Sequence, residues 1–237
     1  MKWRRRIRGF LSYGSGRTAG KALVVCLAIC VALAGPAKAA EDADEVTVLA
    51  FGDSLTQGYG LVQDQGFVPQ LRAWLAERGV AAGIVNGGVS GETTAGGAAR
   101  IDWSLTPGID AMIPELGAND MLRGIDPAVT RANLALILEA AAARDVPVLL
   151  VRVPASGNFG ADYKAAFDAI YSDLAAAYGT LFYPDFLAGL DADSPDQARR
   201  FMQPDGIHPN AAGVARIVEA IGPAVMRLIE AAQSARP

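Results

Sequence analysis

The stretch VTVLAFGDSLTQGYGL, residues 46–61, joins an apolar run to a cluster of small and polar residues. Its first half is rich in β-branched and apolar residues, which predicts a buried strand. The strand stops at Gly52-Asp53-Ser54, where an acid and a hydroxyl follow a glycine. These residue types form turns, so a simple turn is one interpretation. The other is that the strand presents a nucleophilic serine at its tip.

The rest of the chain alternates apolar strands with amphipathic helices. Four further strands are predicted at residues 83–89, 110–117, 146–154 and 180–186. Helical periodicity occupies the intervals between them. Asp126-Pro127 marks one helix start, and Asn210 is placed to cap a last helix. This alternation indicates an α/β fold with a five-stranded parallel sheet covered on both faces. Because no repeat or linker interrupts the pattern, a single domain is expected over residues 40–237.

The amino terminus has the features of a secretory signal peptide. Basic residues without any acid occupy residues 1–21, and an apolar run follows at residues 22–35. The small residues of Ala37-Lys38-Ala39 then match a cleavage site. A membrane span needs about 20 apolar residues, so a removed signal at residues 1–39 is favoured over a retained anchor. We therefore expect an exported protein, periplasmic or secreted, without a stable membrane anchor.

Removal of residues 1–39 would change the charge and the thiol content of the chain. The segment contains eight of the 21 basic residues and none of the 25 acidic ones, so the remainder has a net charge near −12. This charge argues against nucleic acid and anionic membranes as partners. Both cysteines, Cys26 and Cys30, lie in the same segment, so the remainder contains no thiol for disulfide or thiolate chemistry.

Glycine-rich polar segments follow the first three predicted strands. The first strand leads to Ser54, the second to Gly91 and the third to Asn119. Ligand sites of parallel sheets lie beyond the carboxyl ends of the strands, so these segments are expected to converge. The backbone N–H groups of Ser54 and Gly91 and the side-chain amide of Asn119 are candidate donors to an oxyanion. For Asn119, a loop cap is the structural alternative.

The segment QPDGIHPN, residues 203–210, contains His208, the one histidine in the sequence. A serine nucleophile needs a base with a pKa near neutrality, and histidine is the usual choice. Asp205 lies three residues earlier and is placed to orient the imidazole. A turn ahead of a helix is the alternative, but the strand-end serine favours a Ser54–His208–Asp205 triad. Asp53 is expected to have a local structural role, because adjacent turn residues point apart.

The sequence offers no recognisable set of metal ligands and no nucleotide-binding motif. One histidine, no cysteine after residue 39 and no carboxylate cluster at ligand spacing argue against a metal site. Neither a phosphate-binding loop nor a dinucleotide fingerprint is present. We therefore expect neither a metal nor a cofactor.

Taken in order, these motifs resemble the blocks of the GDSL family, also called SGNH hydrolases. The positions that match the family's marks are Ser54, Gly91, Asn119, Asp205 and His208. The resemblance covers residues 46–229 and is strongest to the exported arylesterase, acyl-CoA thioesterase and lysophospholipase branch. It implies a flavodoxin-like three-layer α/β/α sandwich, no metal, and hydrolysis of esters or thioesters with short to medium acyl chains.

Three functional hypotheses follow from this resemblance. The first is a serine esterase or thioesterase acting on a small-molecule acyl ester or thioester. The alternative is a carbohydrate O-deacetylase of the cell envelope with the same fold. A binding module without activity is disfavoured, because every residue of the expected site is present.

Two residues depart from the family pattern. Pro114 lies in the third predicted strand, and a proline cannot donate a ladder hydrogen bond, so a bulge that displaces Asn119 is expected. Met121 follows Asn119-Asp120 where a small residue is common, and it is expected to narrow the acyl site.

Overall fold

The computed structural model describes residues 45–190 and 199–236. The predicted signal segment, with both cysteines, lies outside the described residues. Five strands form one parallel sheet in the order β2-β1-β3-β4-β5. Their bounds are β1 Val46–Gly52, β2 Ala82–Gly88, β3 Ala111–Glu115, β4 Leu149–Val151 and β5 Leu181–Tyr183. The five-stranded parallel sheet confirms the predicted α/β fold.

Helices connect the strands and cover both faces of the sheet. Their bounds are α1 Ser54–Gln57, α2 Phe67–Glu77, α3 Thr94–Ser104, α4 Ala118–Leu122, α5 Pro127–Ala142, α6 Ala161–Tyr178 and α7 Ala211–Ala235. No helix within the described ranges is both long and apolar enough to span a membrane.

Alternate residues of β1 point into two separate cores. Val48 and Ala50 pack with the apolar faces of α2 and α7, whereas Leu49 and Phe51 pack with α3, α5 and α6. Successive side chains of a strand point to opposite faces, so a continuous apolar run fills both cores. The result is a three-layer α/β/α sandwich with β1 between β2 and β3.

Local side-chain caps set the starts of several helices. The Asp126 carboxylate accepts the N–H of Ala128 at 2.8 Å, and Pro127 occupies the first turn of α5. The Asn210 side chain accepts the N–H of Gly213 at 3.0 Å and begins α7. Both caps satisfy donors that have no partner within the helix. The helix starts predicted at Asp126 and Asn210 are therefore confirmed.

The bulge predicted at Pro114 is wrong. β1 and β3 pair in continuous register through Pro114. β3 and β4 keep one offset on either side of it, pairing Met112 with Val148 and Glu115 with Val151. The Met112 N–H donates toward β4, and donors alternate along a strand, so the nitrogen of Pro114 also faces β4. One ladder bond is lost there, but no extra residue is inserted and the end of β3 is not displaced.

Candidate active site

The turn after β1 holds Ser54 at the carboxyl edge of the sheet. Ser54 begins α1, and the Oδ1 atom of Asp53 caps this helix by accepting the N–H of Leu55 at 3.0 Å. A Cβ atom at Gly52 would lie 2.6 Å from the carbonyl oxygen of Glu115 in β3. Only glycine therefore lets the turn lie this close to the neighbouring strand.

A hairpin at residues 201–210, here called the His208 hairpin, carries the histidine and its acid. The N–H of Asn210 donates to the carbonyl of Phe201 at 2.8 Å, and the N–H of Gln203 donates to the carbonyl of His208 at 2.7 Å. Gly206 has a φ of 68° near the tip, a conformation that favours glycine.

Ser54, His208 and Asp205 form a continuous chain of hydrogen bonds. The Nε2 atom of His208 lies 2.8 Å from Ser54 Oγ, and its Nδ1 atom lies 2.7 Å from Asp205 Oδ2. The other carboxylate oxygen of Asp205 accepts the backbone N–H groups of His208 and Ile207. These contacts, with the His208 N–H first, lower the pKa of Asp205 to about 2. Asp205 is therefore ionised near neutral pH and suited to hold an imidazolium.

The three predicted oxyanion donors line the same cavity as Ser54 Oγ. Gly91 has a φ of 77°, and the Arg123 guanidinium donates to its carbonyl at 2.8 Å. The Asn119 amide nitrogen donates one hydrogen to Asp53 Oδ2 at 3.1 Å, which leaves its second hydrogen for another acceptor. Within the described residues, no protein acceptor pairs with the backbone N–H of Ser54 or Gly91. The arrangement can therefore receive a negatively charged oxygen.

A cavity of about 430 Å³ opens beside Ser54. Large apolar side chains supply much of its wall, namely Leu55, Tyr59, Met121, Leu122, Val153, Leu187 and Ile207. The thioether of Met121 accepts a hydrogen bond from the Ser156 hydroxyl at 3.4 Å. In the part of the chain that the structure describes, no group of three or more His, Cys, Asp or Glu residues could hold a metal ion. The cavity suits an apolar chain attached to a polar carbonyl group.

Residues 50–216 match the GDSL-like Lipase/Acylhydrolase family. The chain belongs to this family. It is 38% identical over 184 residues to the esterase TesA of Pseudomonas aeruginosa, covering 77% of this chain and 89% of TesA. It is 34% identical over 166 residues to thioesterase 1/protease 1/lysophospholipase L1 of Escherichia coli K12, covering 69% and 76%. Among solved structures, AlinE4, an SGNH-hydrolase family esterase, matches with 42% identity and a TM-score of 0.63, covering 77% of this chain and 96% of AlinE4.

Two buried carboxyl groups, those of Asp53 and Glu115, lie beneath the Ser54 turn of this GDSL-family site. Glu115 is 1% exposed, and its Oε2 atom accepts the Thr56 hydroxyl at 2.8 Å. Among the described residues, its Oε1 atom has no hydrogen-bond partner. Burial raises the pKa of Asp53 to about 6. Burial, followed by the nearby Asp53 carboxyl, raises the pKa of Glu115 well above its ordinary value.

An arginine holds the segment that carries Gly91. The Nε atom of Arg100 contacts both carboxylate oxygens of Glu92, at 2.8 Å and 2.9 Å. Its Nη2 atom donates to the carbonyl of Gly87 at 2.8 Å, and the guanidinium lies 3.9 Å from the centroid of the Phe51 ring. Arg100 therefore joins the ends of β1 and β2 to the residue that follows Gly91.

Sequence reasoning missed the roles of Glu115 and Arg100 in supporting the site. Both residues contact atoms that are distant along the chain, such as the Thr56 hydroxyl 59 positions from Glu115. A glutamate at a strand end and an arginine on a helix are both common on protein surfaces. The available signal was Gly52, because a glycine in an apolar strand indicates a close neighbour.

Proposed function

We propose that this protein is a serine esterase or thioesterase that hydrolyses acyl esters or thioesters with short to medium chains. The observation that carries the proposal is the unbroken hydrogen-bond chain Ser54–His208–Asp205 beside an apolar cavity. Membership of the GDSL family and the names of its relatives support it.

In the proposed acylation step, Ser54 Oγ attacks the carbonyl carbon while His208 Nε2 takes the hydroxyl proton. The carbonyl oxygen becomes an oxyanion that receives hydrogen bonds from the Ser54 and Gly91 N–H groups and the Asn119 amide. Asp205 holds the Nδ1–H side of the ring and stabilises the imidazolium. These donors are fixed before the reaction, so little reorganisation is needed as the charge develops.

Collapse of the tetrahedral intermediate breaks the bond between carbon and the leaving oxygen or sulfur. His208 Nε2 returns its proton to this leaving atom, and an acyl group remains on Ser54. Water then attacks the acyl carbon with His208 again as the base, which releases a carboxylic acid and restores the Ser54 hydroxyl. Every proton transfer in this scheme uses a group of the chain or the attacking water.

The cavity wall favours an acyl chain over the carbohydrate O-deacetylase alternative. Apolar side chains such as Leu55, Met121 and Val153 would be desolvated by an alkyl chain and left poorly covered by a sugar. An acetylated sugar therefore serves as the comparison substrate, and its turnover in preference to an acyl thioester would support the deacetylase.

We also infer that the protein is exported and that residues 1–39 are removed, which leaves a single catalytic domain over residues 40–237. The basic, apolar and small-residue succession at the amino terminus supports this inference. Small-molecule esters are the expected partners. The net charge near −12 of the remaining chain disfavours nucleic acid as a partner. Mass spectrometry of protein from the periplasm or medium should find a chain that begins at Ala40, and an intact residue 1 would contradict export by cleavage.

The decisive experiment compares Ser54→Ala with the matched variant Ser172→Ala. Ser172 is exposed on α6 and donates only to a carbonyl of its own helix. Ser54→Ala should lower kcat/KM for p-nitrophenyl butyrate by a factor on the order of 10³ or more, whereas Ser172→Ala should not change it. A fluorophosphonate should label the unaltered protein but neither Ser54→Ala nor His208→Ala. Retention of most activity in Ser54→Ala would refute the assignment.

A further inference from the structure

Two half-exposed apolar side chains flank the imidazole of His208. The Tyr59 ring centroid lies 4.7 Å from that of His208, with the ring planes tilted by 42°. Ile207 immediately precedes His208. Tyr59 is 51% exposed and Ile207 is 50% exposed, and both line the cavity that contains Ser54. Exposed apolar surface at the mouth of a cavity is typical of a ligand contact.

The reaction places the leaving group of the substrate at this position, an assignment that rests on the proposed function. His208 Nε2 must deliver its proton to the leaving oxygen or sulfur, so that atom lies within hydrogen-bond reach of the ring. Whatever is bonded to the leaving atom therefore lies beside the imidazole. The walls available there are Tyr59 and Ile207.

Backbone contacts fix both walls to the reactive residues. The Tyr59 N–H donates to the carbonyl of Ser54 at 3.1 Å, and the Gln203 amide donates to the Tyr59 carbonyl at 2.7 Å. The Ile207 N–H donates to the Asp205 carboxylate at 2.9 Å. Because both residues are held by these turns, their backbone positions relative to Ser54 and Asp205 are set before substrate binds.

The charge of the lining favours a neutral ligand. Asp205 is the one charged residue among the described residues that line the cavity, and its carboxylate is occupied by His208. The lining thus supplies no cation to attract a phosphate or carboxylate on the leaving group. An aromatic ring can pack against the Tyr59 ring in an offset or edge arrangement. We propose that Tyr59 and Ile207 form the leaving-group subsite and are the residues that determine how strongly a neutral aryl alcohol or thiol is preferred over an alkyl one as the leaving group.

The test uses two esters with the same acyl group, phenyl acetate and trifluoroethyl acetate. Tyr59→Ala should lower kcat/KM for phenyl acetate by about tenfold, mainly through KM, because a ring contact and its buried area are worth roughly one factor of ten. Hydrolysis of trifluoroethyl acetate should fall by a smaller factor, because its leaving group has no ring that contacts Tyr59. Tyr59→Phe should retain the aryl preference, since it keeps the ring. Trp103→Ala, which removes an 85% exposed ring on α3, should change neither ester.

A second measurement does not depend on the folding of Tyr59→Ala. Naphthol should inhibit the unaltered protein competitively, and Ile207→Ala should raise its inhibition constant severalfold. Equal loss of both esters in Tyr59→Ala would indicate that the ring only supports His208, and it would overturn the subsite. An unchanged ratio of kcat/KM for phenyl acetate to kcat/KM for trifluoroethyl acetate in Tyr59→Ala and in Ile207→Ala, with hydrolysis still dependent on Ser54, would overturn the subsite. The proposed function would then remain intact. Absence of Ser54-dependent hydrolysis of any ester would overturn both.

Discussion

Replacement of Asp53 by asparagine tests the buried carboxyl pair through the pH dependence of stability. Burial raises the pKa of Asp53 from 3.8 to about 6. A pKa that is higher in the folded state means that folded protein binds this proton more tightly than unfolded protein. The resulting contribution to the free energy of unfolding is complete below about 3.8 and is lost as the pH rises through about 6. At about 1.4 kcal/mol for each pH unit between the two values, the loss amounts to about 3 kcal/mol.

Urea unfolding of the unaltered protein and Asp53→Asn, from about pH 4 to about pH 8, measures this difference. Asp53→Asn lacks this loss, so its free energy of unfolding should gain about 2.4 kcal/mol relative to the unaltered protein over this range, because part of the full difference is already lost at pH 4. A constant cost of roughly 1–3 kcal/mol should also appear, because an asparagine amide cannot accept from both Leu55 and Asn119 as the carboxylate does. The kcat should fall, since Asn119 loses the acceptor that orients its amide.

Glu115→Gln supplies the companion measurement. Burial, followed by the nearby Asp53 carboxyl, raises the pKa of Glu115, so replacement of Glu115 removes a second group whose raised pKa makes stability decline with rising pH. The double variant Asp53→Asn/Glu115→Gln should show the flattest stability profile. A constant difference between Asp53→Asn and the unaltered protein at every pH would refute the reasoning.

Three further changes probe the support of the site. Gly52→Ala should lower the melting temperature by an amount equivalent to about 1–3 kcal/mol, measured by calorimetry, because its Cβ overlaps the Glu115 carbonyl oxygen. Arg100→Met should lower the free energy of unfolding in urea by about 3 kcal/mol, because it leaves the Glu92 side chain, which is 9% exposed, without its ion-pair partner. Adding Glu92→Gln to this variant should restore part of the loss. Tyr171→Phe should cost about 1 kcal/mol in the same assay, because its buried hydroxyl donates to the Leu116 carbonyl at 2.8 Å.

Features that depend on local chemistry could be predicted from the sequence. The polar segments that follow the first three strands were predictable from the apolar runs and their glycine-rich ends. The caps at Asp126 and Asn210 act within four residues. The structure likewise brings Ser54 and His208 together, although they are 154 positions apart. That pairing was predictable because only one histidine could serve the serine.

Features that depend on neighbouring elements could not be predicted in this way. The strands expected at 146–154 and 180–186 extend only over Leu149–Val151 and Leu181–Tyr183. A strand ends where its partner ends, and the apolar run alone does not contain that information. The wrong prediction of a bulge at Pro114 has a similar origin. The effect of the backbone N–H that proline lacks depends on which neighbouring strand the nitrogen faces, and the sequence of β3 alone does not show this.

The His208 hairpin has a consequence for how activity is lost. Asp205 and His208 lie on one hairpin of ten residues, so detachment of residues 201–210 removes the acid and the base in a single event. Each molecule therefore has both the Asp205 carboxylate and the His208 imidazole beside Ser54, or neither of them. An intermediate rate of turnover in a heated sample would then report the fraction of molecules in which the hairpin is in place. Counting reactive serines with a stoichiometric label would then measure a local conformational equilibrium, independently of global unfolding.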